Sequence, residues 1–118
     1  MLTARDYLAL AERNEQFVEA IASLPQRFPE WEITTLFYAA LHYANAFLAT
    51  RGHDPGNHAR RNELIVNLTN VGQDYHDLYR LSLNARYRGI SYTPHRVDEI
   101  KSGPFHRVKE EVLALLSM

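Results

Sequence analysis

Apolar residues recur at three- and four-residue intervals along every long segment of this chain, and no segment alternates with the two-residue period of a strand. That periodicity restricts the fold to helices packed on helices. Breakers divide the periodic stretches at Pro25–Pro29, Gly52–Asn57, Gly72–Asp74 and Gly89–Pro104. The expectation is an all-α, five-helix up-and-down bundle forming a single domain over residues 1–118. A chain of 118 residues buries about two thirds of its unfolded surface on folding, enough for a true core.

Each segment carries its own signals. Residues 3–24 open on Thr3 and Asp6, a variant of the capping box. Their expected inward face holds Tyr7, Leu10, Ala11, Phe17, Val18, Ile21 and Leu24, with Pro25 ending the helix. Residues 30–51 place Ile33, Phe37, Ala40, Leu41, Ala44, Phe47 and Leu48 on one stripe. A second stripe holds Trp31, Tyr38, His42, Asn45 and Ala49. Two such faces suit either the central helix of one bundle or a helix that also packs a second subunit.

Asn57 is placed to cap a third helix near 57–71, with Leu64, Ile65, Leu68 and Val71 inward. Asp74 is expected to cap a fourth near 75–88, with Tyr75, Leu78, Tyr79, Ser82, Ala85 and Arg86 along its inner stripe. A guanidinium beside the core needs a partner or an opening to a cleft or interface, so Arg86 stands out. Residues 89–104 read as a long connection with a short helical turn around 95–101. Pro104 then starts a last helix with Phe105, Val108, Val112, Leu115 and Leu116 inward.

Composition excludes several chemistries. With no cysteine, disulfides, zinc–thiolate sites and cysteine nucleophiles are ruled out. No apolar run approaches the roughly 20 residues of a membrane span, and MLTARDYLAL lacks the basic-then-apolar shape of a signal peptide. A soluble cytoplasmic domain that does not enter the membrane is expected. Glycine-rich phosphate loops, serine nucleophile elbows and His-Glu-x-x-His are absent. His42, His53 and His58 raise a three-histidine metal alternative, but His42 lies about 16 Å of helix before His53. Neither a metal nor a cofactor is expected.

Charge is uneven although its sum is −1. Residues 1–50 carry three basic and six acidic side chains, whereas residues 51–96 carry seven arginines against four acids. Arginine presents a fixed fork for phosphate or carboxylate, so an anionic partner would meet the second segment.

The string FYAALHYANAFLATRGHDPGNHARRNELI at 37–65 resembles the second helix, turn and third helix of the HEPN superfamily. YRLSLNARYRG at 79–89 resembles the following HEPN helix. The resemblance implies a helical domain that forms homodimers, and in many members a metal-independent endoribonuclease of toxin or defence type. Its Arg-x(4–6)-His motif comes from both subunits across the dimer cleft. Arg88-Gly-Ile-Ser-Tyr-Thr-Pro-His95 fits that spacing and makes Arg88 and His95 the catalytic candidates. Histidine would serve as base at a 2′-hydroxyl and arginine as cation at the phosphorane. Arg51 and His58 match the same spacing. Tyr79, Ser82 and Arg86 share one helix face and are the candidates for holding phosphate or RNA. The alternative implied by the resemblance is a non-catalytic module that binds a nucleotide or a partner protein, such as a nucleotidyltransferase.

Overall fold

The computed structural model describes residues 2–118. Helix α1 spans Ala4–Ala22 and α2 spans Pro29–Thr50; α3 is His58–Leu68 and α4 is Gly72–Tyr87. Then α5 (Pro94–Ile100), a π-helical turn at Lys101–Phe105 and α6 (His106–Leu116) run end to end as one interrupted rod. Among the described residues the chain is all-helical, arranged as five rods. No helix is long and apolar enough to cross a membrane.

The caps show why the helices start where they do. Thr3 accepts the Asp6 amide while the Asp6 carboxylate accepts the Thr3 amide, so the capping box forms as expected. Asn57 accepts the Arg60 amide at 2.8 Å, and Thr93 accepts that of Arg96 at 3.1 Å. Helix α1 ends at Ala22 with Ser23 as its C-cap, two residues before Pro25.

Helix α2 is the hub. Phe37, Ala40, Ala44 and Leu48 are fully buried, and most of the helix is covered on both faces by its own chain. On the second stripe Tyr38 meets Arg86, Asn45 meets Arg61, and His42 stacks beside Tyr7. Trp31 alone of that stripe is exposed. Helices α1 and α6 are tied through Glu15, which accepts both the Tyr43 hydroxyl and, at 2.9 Å, the Lys109 ammonium. Burial first, then that carboxylate, pushes the Tyr43 hydroxyl well above the usual phenol range.

Several expectations need correcting. On α1 only Ala11 and Val18 are buried, whereas Leu10 and Phe17 are 39% and 50% exposed, and Leu24, beyond the helix end, is 45% exposed. Helix α1 packs chiefly against α2, and one neighbour covers a narrower strip than the apolar stripe provides. Leu68 is likewise exposed, because α3 ends there rather than at 71.

Asp74 does not cap α4. The helix starts two residues earlier, at Gly72, where a β-carbon would sit 2.9 Å from the Val66 backbone. Glycine thus permits the close α3–α4 turn. Asp74 is left free to clamp Arg107 with two bonds of 2.9 and 3.0 Å.

Pro104 does not begin the last helix either; Pro94 begins the rod and Pro104 lies in its π-helical turn. Proline has no amide to donate and its ring would strike the carbonyl four residues back in an α-helix. The wider turn relieves that clash. It also inserts a residue, so that buried Val97, Ile100, Phe105, Val108 and Val112 stay on one face despite the five-residue step from 100 to 105. Proline in a first turn and proline in a π turn leave the same trace in a sequence.

Candidate functional site

The polar side chains of α2, α3 and α4 converge around Phe37. Its ring lies 5.5 Å from that of Tyr79, 5.9 Å from Tyr75 and 6.0 Å from His58. His58 and Tyr79 approach each other at 5.1 Å. Two arginines flank this aromatic plate.

Arg61, only 8% exposed, sends Nε to Asn45 Oδ1 at 2.9 Å, Nη2 to the Pro55 carbonyl at 3.3 Å, and Nη1 toward His58 Nδ1 at 3.3 Å. A guanidinium has no lone pair to offer, so His58 Nδ1 accepts and the histidine is neutral with its proton on Nε2. Arg86 sends Nη1 to the Tyr38 hydroxyl at 2.9 Å, Nη2 to Ser82 Oγ at 3.2 Å and Nε to the Ser82 carbonyl at 3.3 Å. Ser82, fully buried, thus anchors the arginine from one turn back, as a polar residue on this stripe requires.

All of these partners are neutral. Among the described residues the arginine and lysine ion pairs include neither Arg61 nor Arg86. Each uses three of its five N–H groups, leaving two donors and an unbalanced positive charge. The histidines report that charge. Burial first, then Arg61, lowers the pKa of both His42 and His58, and Arg86 adds to the effect at His58. Burial likewise raises the Tyr75 hydroxyl, which the neighbouring Arg61 opposes.

A histidine whose folded pKa lies below its unfolded value, about 6.5, binds more protons in the unfolded chain as the pH falls. The contribution is complete above that unfolded pKa and shrinks as pH drops through it toward the folded value. Thermal unfolding near pH 5.5 is therefore expected at a lower temperature than near pH 7.5, with His58→Gln narrowing the difference. An unchanged difference in that variant would remove His58 from this account.

Arg86 also reaches the surface. With Glu30, Trp31, Thr34, Ala85 and Tyr87 it lines a pocket of about 250 Å³ between the first turn of α2 and the last turn of α4. Its guanidinium carbon stands 5.0 Å from the Tyr87 ring centre and 5.4 Å from that of Tyr38. Trp31 and Tyr87 are 56% and 73% exposed at the mouth.

The structure therefore unites Tyr79, Ser82 and Arg86 in one seam, with His58, Arg61 and Asn45 added to it. Arg88 and His95 stand apart. Arg88 is the exposed C-cap of α4, donating to Asn84 at 3.2 Å, and His95 occupies the first turn of α5, 3.9 Å from Glu99. No hydrogen bond joins them among the described residues. Gly89 between them adopts φ +63°, a left-handed conformation that suits glycine and, next best, asparagine. Of the second spaced pair, Arg51 covers the Phe47 ring at 5.0 Å while His58 enters the cluster.

The sequence does not mark Arg61 and Asn45 as partners. Their signal was Arg61 three residues after His58 on α3, opposite the only amide of the second α2 stripe. His42, His53 and His58 do not gather as ligands; no group of three potential metal ligands forms among the described residues. Compared with known families, curated proteins and solved structures, the chain matches none.

Proposed function

We propose that this chain is a HEPN-like helical domain that binds the phosphates of RNA, with Arg86 as its anchor and Tyr79 and Ser82 lining the same seam. The observation that carries this reading is the pair of arginines, Arg61 and Arg86, fixed by neutral groups and without a carboxylate partner. A protein that used them only for packing would gain by pairing them. Held rigid with donors to spare, Arg86 lines a surface pocket and suits a bidentate oxyanion, with Arg61 adding positive charge behind it. The HEPN-like strings at 37–65 and 79–89 contribute most of these side chains, which supports the same reading.

Cleavage extends it. Arg88 and His95 are solvent-exposed at the two ends of the loop leaving α4, close in sequence to Arg86. A metal-independent endoribonuclease built on them, with a second copy of the chain completing the cleft, would cut RNA in EDTA and lose that activity in Arg88→Ala and His95→Ala. Retained cleavage in both variants excludes them as the catalytic pair.

The binding test is fluorescence anisotropy of a labelled oligoribonucleotide over a salt series. Phosphate contacts produce a steep fall of affinity with salt. Arg86→Ala is expected to weaken binding by about tenfold and to reduce the salt slope by about one. Flat salt dependence, or no change in that variant, overturns the reading.

A second reading rests on α1, where Leu10 and Phe17 lie exposed seven residues apart, with exposed Leu24 just beyond the end of the helix. Such a stripe suits a non-catalytic module that docks a partner protein, a nucleotidyltransferase being the partner the family resemblance suggests. Light scattering on the purified chain distinguishes a homodimer from a monomer awaiting that partner.

A further inference from the structure

The pocket beside Arg86 has three kinds of wall. Two exposed aromatic rings, Trp31 and Tyr87, stand at its mouth; Arg86 brings positive charge from α4; Glu30 brings a carboxylate from α2. Glu30 forms no ion pair among the described residues, and its bond to Thr34 uses its backbone carbonyl, at 2.7 Å. Its carboxylate is therefore unpaired, on a residue that lines the same pocket as the two rings.

An anion alone would not account for the acid, and a cation alone would not account for the arginine. A nucleotide satisfies both, since its base stacks on exposed aromatic rings and its phosphate meets a guanidinium. A carboxylate accepts hydrogen bonds and donates none, so it reads only base edges that donate. Guanine presents two adjacent donors, N1–H and the N2 amine. Adenine sets its amine beside the N1 acceptor, cytosine sets its amine beside N3, and uracil flanks its single N–H with two carbonyls. The two-oxygen edge of Glu30 matches guanine alone.

Resting on the phosphate-binding reading, we propose that this pocket is a guanine subsite in which Trp31 and Tyr87 stack the base, Glu30 accepts N1–H and N2–H, and Arg86 holds the adjoining phosphate.

Trp31 is the one tryptophan of the chain, so its emission reports on the pocket without a label. The experiment titrates the full chain with GMP, IMP, AMP and inorganic phosphate. It then uses two short oligoribonucleotides, identical except for one guanine replaced by adenine. The expected result is quenching of Trp31 by guanine ligands at concentrations about tenfold below those of their adenine counterparts. IMP, which lacks the N2 amine, should fall between. Glu30→Gln should erase the preference while leaving the response to phosphate in place. Circular dichroism confirms that this surface variant is folded.

Tighter binding of the guanine oligonucleotide than of GMP identifies RNA as the source of the base; equal binding identifies the free nucleotide. Equal quenching by guanine and adenine ligands overturns the proposal while leaving the phosphate reading intact. So does salt-dependent RNA binding with Trp31 emission unmoved. Failure of phosphate, nucleotides and RNA alike to bind would overturn both.

Discussion

Arg27→Ala is expected to destabilise the fold by about 3 kcal/mol, read as a lower denaturant midpoint at unchanged slope. Glu32 is fully buried on α2, and its two carboxylate oxygens are held by Arg27 Nη2 at 2.7 Å and Nε at 3.1 Å. A two-bond guanidinium–carboxylate pair is among the stronger polar contacts, but its worth is not what the variant measures. Removing the arginine leaves a carboxylate inside the bundle with no cation, and that uncompensated charge sets the size of the loss. Asp98, 3.7 Å from the same guanidinium and exposed, offers Glu32 nothing.

The control is the pair of changes together. Arg27→Ala with Glu32→Gln removes the stranded charge, so the double variant is expected to be more stable than Arg27→Ala alone. Equal stability of the two would mean that Arg27 acts through packing of its stem and not through Glu32.

Helical periodicity made most of the architecture legible, since apolar spacing and local caps are properties of neighbours in sequence. Thr3 with Asp6, and Asn57 before α3, behave as their positions require because a cap involves only the next three residues. The inner stripe of α4 was equally visible, including the demand that Arg86 find partners, because an arginine on such a face is costly anywhere. Contacts between elements left no comparable trace. Arg27 and Glu32 are five residues apart across the break before α2, a spacing no helix pattern predicts, and Arg61 meets Asn45 sixteen positions away. The exposure of Leu10 and Phe17 depends on how many neighbours α1 acquires, which its own residues do not encode. Within the candidate site, Tyr79, Ser82 and Arg86 are legible together because they share one face of α4, and His58 is legible as a spaced histidine, whereas the bond of Arg61 to Asn45 joins two helices and leaves no such trace.

Phe37→Ala tests how far the site depends on the core beneath it. Phe37 is fully buried at the centre of α2, with the rings of Tyr38, His58, Tyr75 and Tyr79 all within 6.0 Å of it. Emptying that position should cost about 4 kcal/mol, from lost transfer energy and from a cavity that four flanking rings on three helices cannot easily close. Phe37→Leu should cost about 1.5 kcal/mol, since most of the volume remains.

The second effect concerns function. Tyr38 carries the hydroxyl that receives Arg86, and His58 carries the nitrogen that receives Arg61, so both arginines are aimed by groups resting on this ring. On the proposed RNA-binding reading, RNA affinity measured well below the unfolding midpoint of Phe37→Leu should therefore fall, with its salt slope reduced, although no proposed phosphate contact has been deleted. Wild-type affinity in a folded Phe37→Leu protein would show that Arg86 is held by Ser82 alone. The aromatic plate would then belong to stability and not to binding.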